Sequence, residues 1–146
     1  MTLETLFYVC NAAVIPFWAA LIFAPRWKGT DAMVRTQLGP SLLALVYVCM
    51  AFAFIPGSEG NMGSLADLKD AFADGGVLLL GWVHYLCFDL FVVAWIFSDA
   101  RQRGVSHILV APCLALTLML GPSGWLAYLL TRRFAQHRAL KRSAVG

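Results

Sequence analysis

Gly76-Val77-Leu78-Leu79-Leu80-Gly81-Trp82-Val83-His84-Tyr85-Leu86-Cys87-Phe88-Asp89-Leu90-Phe91-Val92-Val93-Ala94-Trp95-Ile96-Phe97-Ser98 is an apolar run in which His84 and Asp89 are the only strongly polar side chains. A helix that crosses a bilayer needs about 20 mostly apolar residues, and this run supplies them. Read as a transmembrane helix, it decides the fold class and places a carboxyl group near the middle of the hydrocarbon. A carboxyl there costs roughly 2.5–3.5 kcal/mol, so it persists only when paired, protonated, solvated by a cavity, or used.

Outward from this run the chain repeats the pattern. Of its 146 residues 60% are hydrophobic and 13% charged, with a mean hydropathy of +0.73, outside the composition of soluble domains. Leu3–Ala24, Leu38–Ile55 and Ile108–Thr131 are further runs of spanning length. The expected architecture is all-α: a bundle of four transmembrane helices in one domain over residues 1–131, followed by a basic tail over residues 132–146. No room remains for a soluble domain, so function is expected in or at the bilayer. The net charge of +3 suits anionic headgroups and gives no indication of nucleic acid. Cys10, Cys49, Cys87 and Cys113 lie in different apolar runs without ligand spacing and read as packing residues.

The connections orient the bundle. Residues 25–37 carry Arg26, Lys28 and Arg35 against Asp31, and residues 99–107 carry Arg101 and Arg103 against Asp99, whereas residues 56–75 hold Glu59, Asp67, Asp70 and Asp74 against Lys69. The positive-inside rule puts the first two in the cytoplasm and the third outside. Within the third, Ser64-Leu65-Ala66-Asp67 has the form of a capping box, with Leu65, Leu68 and Phe72 on one face, which predicts a short interfacial helix. The first run has its basic residues after it, so it reads as a retained helix with its N-terminus outside, and with no transit peptide ahead of it the expected location is a bacterial cytoplasmic membrane.

The tail conflicts with that scheme, because Arg132, Arg133, Arg138, Lys141 and Arg142 fall outside if the fourth run simply crosses. Gly121-Pro122-Ser123-Gly124 interrupts that run: Pro122 cannot donate to the carbonyl of Leu118. A re-entrant hairpin returns the tail to the cytoplasm and a kinked crossing does not; the expectation is a kinked crossing with its break at Gly121-Pro122 beside the bundle interior.

In helical geometry His84 and Asp89 are about 7.5 Å apart along the axis and about 140° apart around it. They are therefore not a direct pair, and each addresses a different neighbour or a different side of a ligand. Asn11, the one strongly polar side chain in the middle of the first run, is the expected partner of Asp89. Tyr85 and Trp95 lie deep enough to line an elongated apolar ligand, although core packing and interfacial belts account for most aromatic residues in spans. Asp99 and Arg103 form an ordinary i, i+4 pair, and His107 and His137 are expected in solvent. Spacings for phosphate loops, zinc proteases, nucleophile elbows and metal sites are absent, so no cofactor is expected.

Asn11-Ala12-Ala13-Val14-Ile15-Pro16-Phe17-Trp18 and Ala24-Pro25-Arg26-Trp27, the block Gly81-Trp82-Val83-His84-Tyr85-Leu86-Cys87-Phe88-Asp89-Leu90-Phe91-Val92, and Gly121-Pro122-Ser123-Gly124 together resemble the abscisic acid-deficient-four, or neoxanthin synthase-related, membrane family over residues 3–131. The resemblance implies a carotenoid or related polyene lipid as ligand and, in plants, isomerisation of violaxanthin to neoxanthin. Such a reaction breaks an epoxide C–O bond, gives its oxygen a proton and removes a proton from a neighbouring carbon, with no redox cofactor. Carried onto this chain, it implies Asp89 as proton donor and His84 as acceptor; the residues expected around the substrate are Asn11, Trp82, Tyr85, Phe88, Trp95 and Pro122. The alternatives are a pigment- or lipid-binding protein without turnover and, third, a transporter that relays protons through Asp89. A chain this small is also compatible with a homo-oligomer.

Overall fold

In a computed structural model that describes residues 2–57 and 63–143, the chain is a bundle of six helices: α1 (Leu3–Phe23), α2 (Lys28–Thr36), α3 (Leu38–Phe54), α4 (Leu65–Ala71), α5 (Gly75–Gln102) and α6 (His107–Ser143), with a 3-10 turn at Ile55–Gly57. Among the described residues there is no strand. The four apolar runs coincide with α1, α3, α5 and α6, and the protein is a helical membrane bundle. Glu59 of the acidic connection lies outside the described residues.

Capping fixes the helix starts. Ser64 accepts from the Asp67 amide at 3.1 Å and opens α4, as the capping-box pattern predicts. Asp74 accepts from the amides of Gly76 and Val77 at 2.8 and 3.0 Å and opens α5, satisfying donors that have no partner inside the helix. The first connection is more ordered than its charge suggests, because most of it forms α2. Thr30 and Val34 on one face of α2 are buried, and the Thr30 hydroxyl donates to the Ala24 carbonyl at 2.8 Å, closing the end of α1. Gln37 adopts a left-handed conformation (φ 51°) between α2 and α3, whose axes differ by 42°.

α5 is the central helix. α1 runs parallel to it, with Leu3 beside Gly75 and Phe7 beside Trp82. α3 runs antiparallel, with Gly39 against Leu90, Tyr47 against His84 and Phe54 against Gly76. Val83 is fully buried within the bundle, and Val93, Ile96, Leu114 and Tyr128 are fully buried where these helices meet α6.

α6 does not cross the bilayer as a kinked span. Leu120 and Gly121 leave helical geometry, and the two halves of the helix fold back on one another. Cys113 Sγ and Thr131 Oγ1 lie 3.7 Å apart, although about 27 Å of rise would separate them on a straight helix. A Cβ on Gly124 would meet the Cys113 carbonyl at 2.6 Å and collide with Thr117, so this glycine lets the two half-helices touch. Ser123 donates to the Leu120 carbonyl at 2.7 Å, occupying an acceptor that the break releases. The second half then runs alongside α5 in the same direction, from Gly121 at Asp89 to Arg132 at Asp99.

This re-entrant geometry corrects the kinked crossing and removes the charge conflict. The basic segment after Thr131 continues as helix and returns to the end of the bundle that carries Arg26, Arg35, Arg101 and Arg103. Arg132 and Arg103 both pair with Asp99, and Arg101 pairs with Asp31 across the two basic connections. One end of the bundle is thus a basic face, and the other carries α4.

Candidate functional site

The hairpin tip ends beside Asp89. A Cβ on Gly121 would lie 2.7 Å from Asp89 Oδ1, so the absence of a side chain at Gly121 leaves room for the carboxyl. Asp89 is 9% exposed, and the Tyr85 phenol one turn earlier faces both its carboxyl and the Gly121 backbone. The spacing of Tyr85 and Asp89 puts both on one helix face. Their partner across the gap comes from the far end of the chain, where Pro122, without an amide hydrogen, starts the second half-helix and is exposed at the tip.

Toward the α4 end, an aromatic column continues from this pair. Tyr85 and Trp82 have ring centroids 5.5 Å apart, and Trp82 and Phe7 5.7 Å. Trp82 Nε1 donates to Asn11 Oδ1 at 3.2 Å, while Asn11 Nδ2 donates to the Phe7 carbonyl at 2.7 Å. Above Trp82 a cavity of about 300 Å³ opens between α1 and α5, lined by Leu3, Glu4, Phe7, Leu78 and Leu79. An apolar wall with a few convergent polar groups is the usual constitution of a small-ligand site.

Asn11, expected from its depth in the first run to be the partner of Asp89, is instead bonded to Trp82 and the Phe7 carbonyl. α1 packs parallel to α5 in a register that sets Asn11 level with Trp82, two turns from the carboxyl. Its two polar functions are both used, one on its own helix and one on the indole. Asn11 and Trp82 do meet, and they orient the aromatic column rather than the acid.

His84 lies on a different side of α5. Its ring stacks on Phe88 at 4.6 Å and meets Tyr47 of α3 at 5.4 Å, and it is exposed on the outside of the bundle. Phe88 and Trp95 share that outward stripe, Phe88 55% and Trp95 39% exposed, with Trp95 edge-on to Tyr128. Of the expected site residues, the fold thus gathers Asp89, Tyr85, Trp82 and Asn11 along one line, while Pro122 follows Gly121 at the exposed hairpin tip. His84, Phe88 and Trp95 are not brought to it, for the angular reason already present in the helix.

Asp99 is more than an exposed i, i+4 partner. Its carboxylate accepts from Tyr128 Oη at 2.5 Å, Arg103 Nε at 2.8 Å and Arg132 Nη1 at 3.0 Å. Tyr128 is fully buried, so this clasp ties the second half-helix of α6 to the end of α5. The unplaced arginines of the tail were the signal for it, since a basic segment that belongs on the Asp99 side needs a carboxylate there. Arg103, outside the spans, has its guanidinium held more firmly protonated than usual by Asp99. His107, expected in solvent, is half-buried, with Nε2 2.9 Å from the Ile22 carbonyl. Among the described residues no His, Cys, Asp or Glu group is arranged to hold a metal ion.

Residues 5–128 match the sequence model of the ABA DEFICIENT 4-like family. A curated plant protein, Protein ABA DEFICIENT 4, chloroplastic, of Arabidopsis thaliana, is 21% identical over 137 residues, covering 88% of this chain and 61% of the relative. The chain thus spans about three fifths of that relative's length. No solved structure matches the chain.

Proposed function

The chain belongs to the ABA DEFICIENT 4-like family, and from that premise we infer that it binds a carotenoid-like polyene between α1 and α5 and isomerises its end group at Asp89. The observation that supports this reading most is the continuous line of Phe7, Trp82 and Tyr85 rings ending on a buried carboxyl at the tip of a re-entrant hairpin. Flat rings suit a conjugated chain. A carboxyl excluded from water suits proton transfer to an ether oxygen that accepts hydrogen bonds poorly in bulk solvent.

The acid–base assignment changes with the geometry. His84 faces away from the column, so Asp89 acts with Tyr85. The Asp89 carboxylic acid gives its proton to the epoxide oxygen as the C–O bond breaks, and the resulting carboxylate takes the proton lost from the neighbouring carbon. The catalyst ends as it began, and the product has the mass of the substrate. Tyr85, one turn earlier and facing the carboxyl, orients it. A bacterial cytoplasmic membrane remains the proposed setting, while the named relative is chloroplastic.

The test is expression in a host that makes epoxidised carotenoids, with pigments compared between wild type, Asp89→Asn, Tyr85→Phe and His84→Ala. The expected outcome is an isomer of unchanged mass in wild type, its loss in Asp89→Asn, a reduced yield in Tyr85→Phe and a normal yield in His84→Ala. Pigment profiles identical to the empty host in all four would remove the catalytic claim. The contact between Asp89 and Gly121 supports a second reading, in which the carboxyl only joins α5 to the hairpin and the column holds pigment without turnover. Pigment that co-purifies chemically unchanged distinguishes it.

A further inference from the structure

Leu78, Trp82, Tyr85, Asp89 and Ile96 follow one face of α5 at helical spacing. Exposure along that face falls from 54% at Leu78 through 39% at Trp82 to 9% at Asp89 and 0% at Ile96. The gradient has a structural origin. The half-helices of α6 enter from the basic face and turn back at Gly121, so they cover the face from Asp89 to Asp99 and leave the turns from Leu78 to Tyr85 open. A hairpin that stops half-way creates a lateral slot with one open end and one closed end. The open end lies in the leaflet away from the basic face.

Among the described residues no Lys or Arg lines the cavity, which carries Glu4 at its mouth and ends at Trp82; two turns further along the same face, beyond Tyr85, the buried Asp89 forms the floor of the slot. The arginines gather at the other end of the bundle around Asp99 and Asp31. An anionic end group that reached the floor would meet a carboxyl with no cation to offset it, in surroundings where an unpaired charge is costly. A hydroxyl or an epoxide oxygen meets an acid and a phenol, both able to donate.

We propose that the ligand enters end-on from the leaflet opposite the basic face, through the mouth at Leu3, Glu4 and Leu78, and that the floor at Asp89 admits neutral oxygenated isoprenoid ends while refusing carboxylate or phosphate ends. This rests on the polyene reading above and adds to it a direction of entry and a rule of charge selection. The hairpin tip acts as the stop: a molecule too long for the slot leaves its far end in the leaflet, and only the leading end meets Asp89.

The test uses all-trans-retinol and all-trans-retinoic acid, matched polyenes that differ in the charge of their end, with the protein in nanodiscs at pH 8. Binding is followed by the anisotropy of the polyene's own fluorescence, with protein-free discs as reference. Saturable retinol binding is expected, with retinoic acid at least about tenfold weaker, the ratio that 1.4 kcal/mol of discrimination produces. Leu78→Trp, which fills the mouth, is expected to weaken retinol at least tenfold, and Leu78→Phe to weaken it less. Leu126→Trp, a change of similar size on the exposed side of the second half-helix, is expected to leave it within twofold. Loss of binding in Leu126→Trp with retention in both Leu78 variants would overturn the entry side. Equal affinity for the acid would overturn the charge selection. No saturable retinol binding in wild type would overturn the polyene reading itself, and this inference with it.

Discussion

Asp89 and Asp99 are carboxyls on one helix, ten residues apart, and their surroundings divide the protein into two parts. Asp99 collects three donors from three side chains, two of them arginines. Asp89 has a single phenol and a glycine backbone beside it. Both oxygens of Asp99 are taken, which is what a clasp needs: charge-assisted bonds to a largely buried carboxylate are strong and directional. Around Asp89 the carboxyl keeps hydrogen-bonding capacity to spend on something that is not protein. The comparison teaches that the expensive mid-membrane acid is affordable because the other acid, nearer the headgroups, holds the hairpin whose tip shelters it.

The sharpest way to break the comparison is to break the fold-back on which it stands. Thr131→Cys, with the native Cys113, is expected to form an intramolecular disulfide almost quantitatively under mild oxidation, read as a mobility shift. A kinked crossing keeps the two residues far apart and gives none, and that result would separate Asp99 from Tyr128 and the hairpin from Asp89. Next in size, Asp89→Asn is expected to lower turnover of an epoxidised carotenoid by about 10²–10⁴-fold, the range of a lost general acid, while thermal unfolding moves little because the amide nearly matches the carboxyl in shape.

Asp99→Ala should do the reverse of Asp89→Asn, with its main effect on stability. Leaving Tyr128 and Arg132 without their acceptor is expected to cost about 2 kcal/mol, measured by reversible unfolding in mixed micelles, and a loss smaller than that of Asp89→Asn would sink the clasp. The smallest effect is expected at the exposed pair of Asp31 and Arg101: Asp31→Asn should change stability by less than about 1 kcal/mol and progressively less as salt is added. If it matched Asp99→Ala, the basic face would be a single network and not a clasp with an ordinary ion pair beside it.

Much of the site could be read along one helix. Spacing alone separates His84 from Asp89 and joins Tyr85 to it, because rotation per residue is a property of the backbone. Spacing does not say what faces a side chain from another helix. Asn11 illustrates this: its depth in the first run pointed to Asp89, yet the parallel packing of α1 on α5 set it level with Trp82. Asp99 and Tyr128 illustrate it further, since an ion pair one turn apart and an aromatic residue of the fourth run belong to one cluster only after the chain has turned back. α2 was hidden for a different reason: its charges read as a basic connection between spans, and Thr30 and Val34 show as a buried face only once the bundle has folded.

The sequence by itself determined that the protein is a helical membrane bundle, that a carboxyl sits near mid-depth on its third long apolar run, and that the fourth run breaks at Gly121-Pro122. Each follows from local physics: the length of apolar helix a bilayer requires, the cost of charge inside it, and the missing amide hydrogen of proline. The tertiary structure alone decided which way the chain leaves that break and what the carboxyl touches. A broken helix can bend through any angle that its neighbours permit, and here the choice was made by residues far apart in sequence, with Gly124 closing on Thr117 and Cys113, and Tyr128 and Arg132 on Asp99.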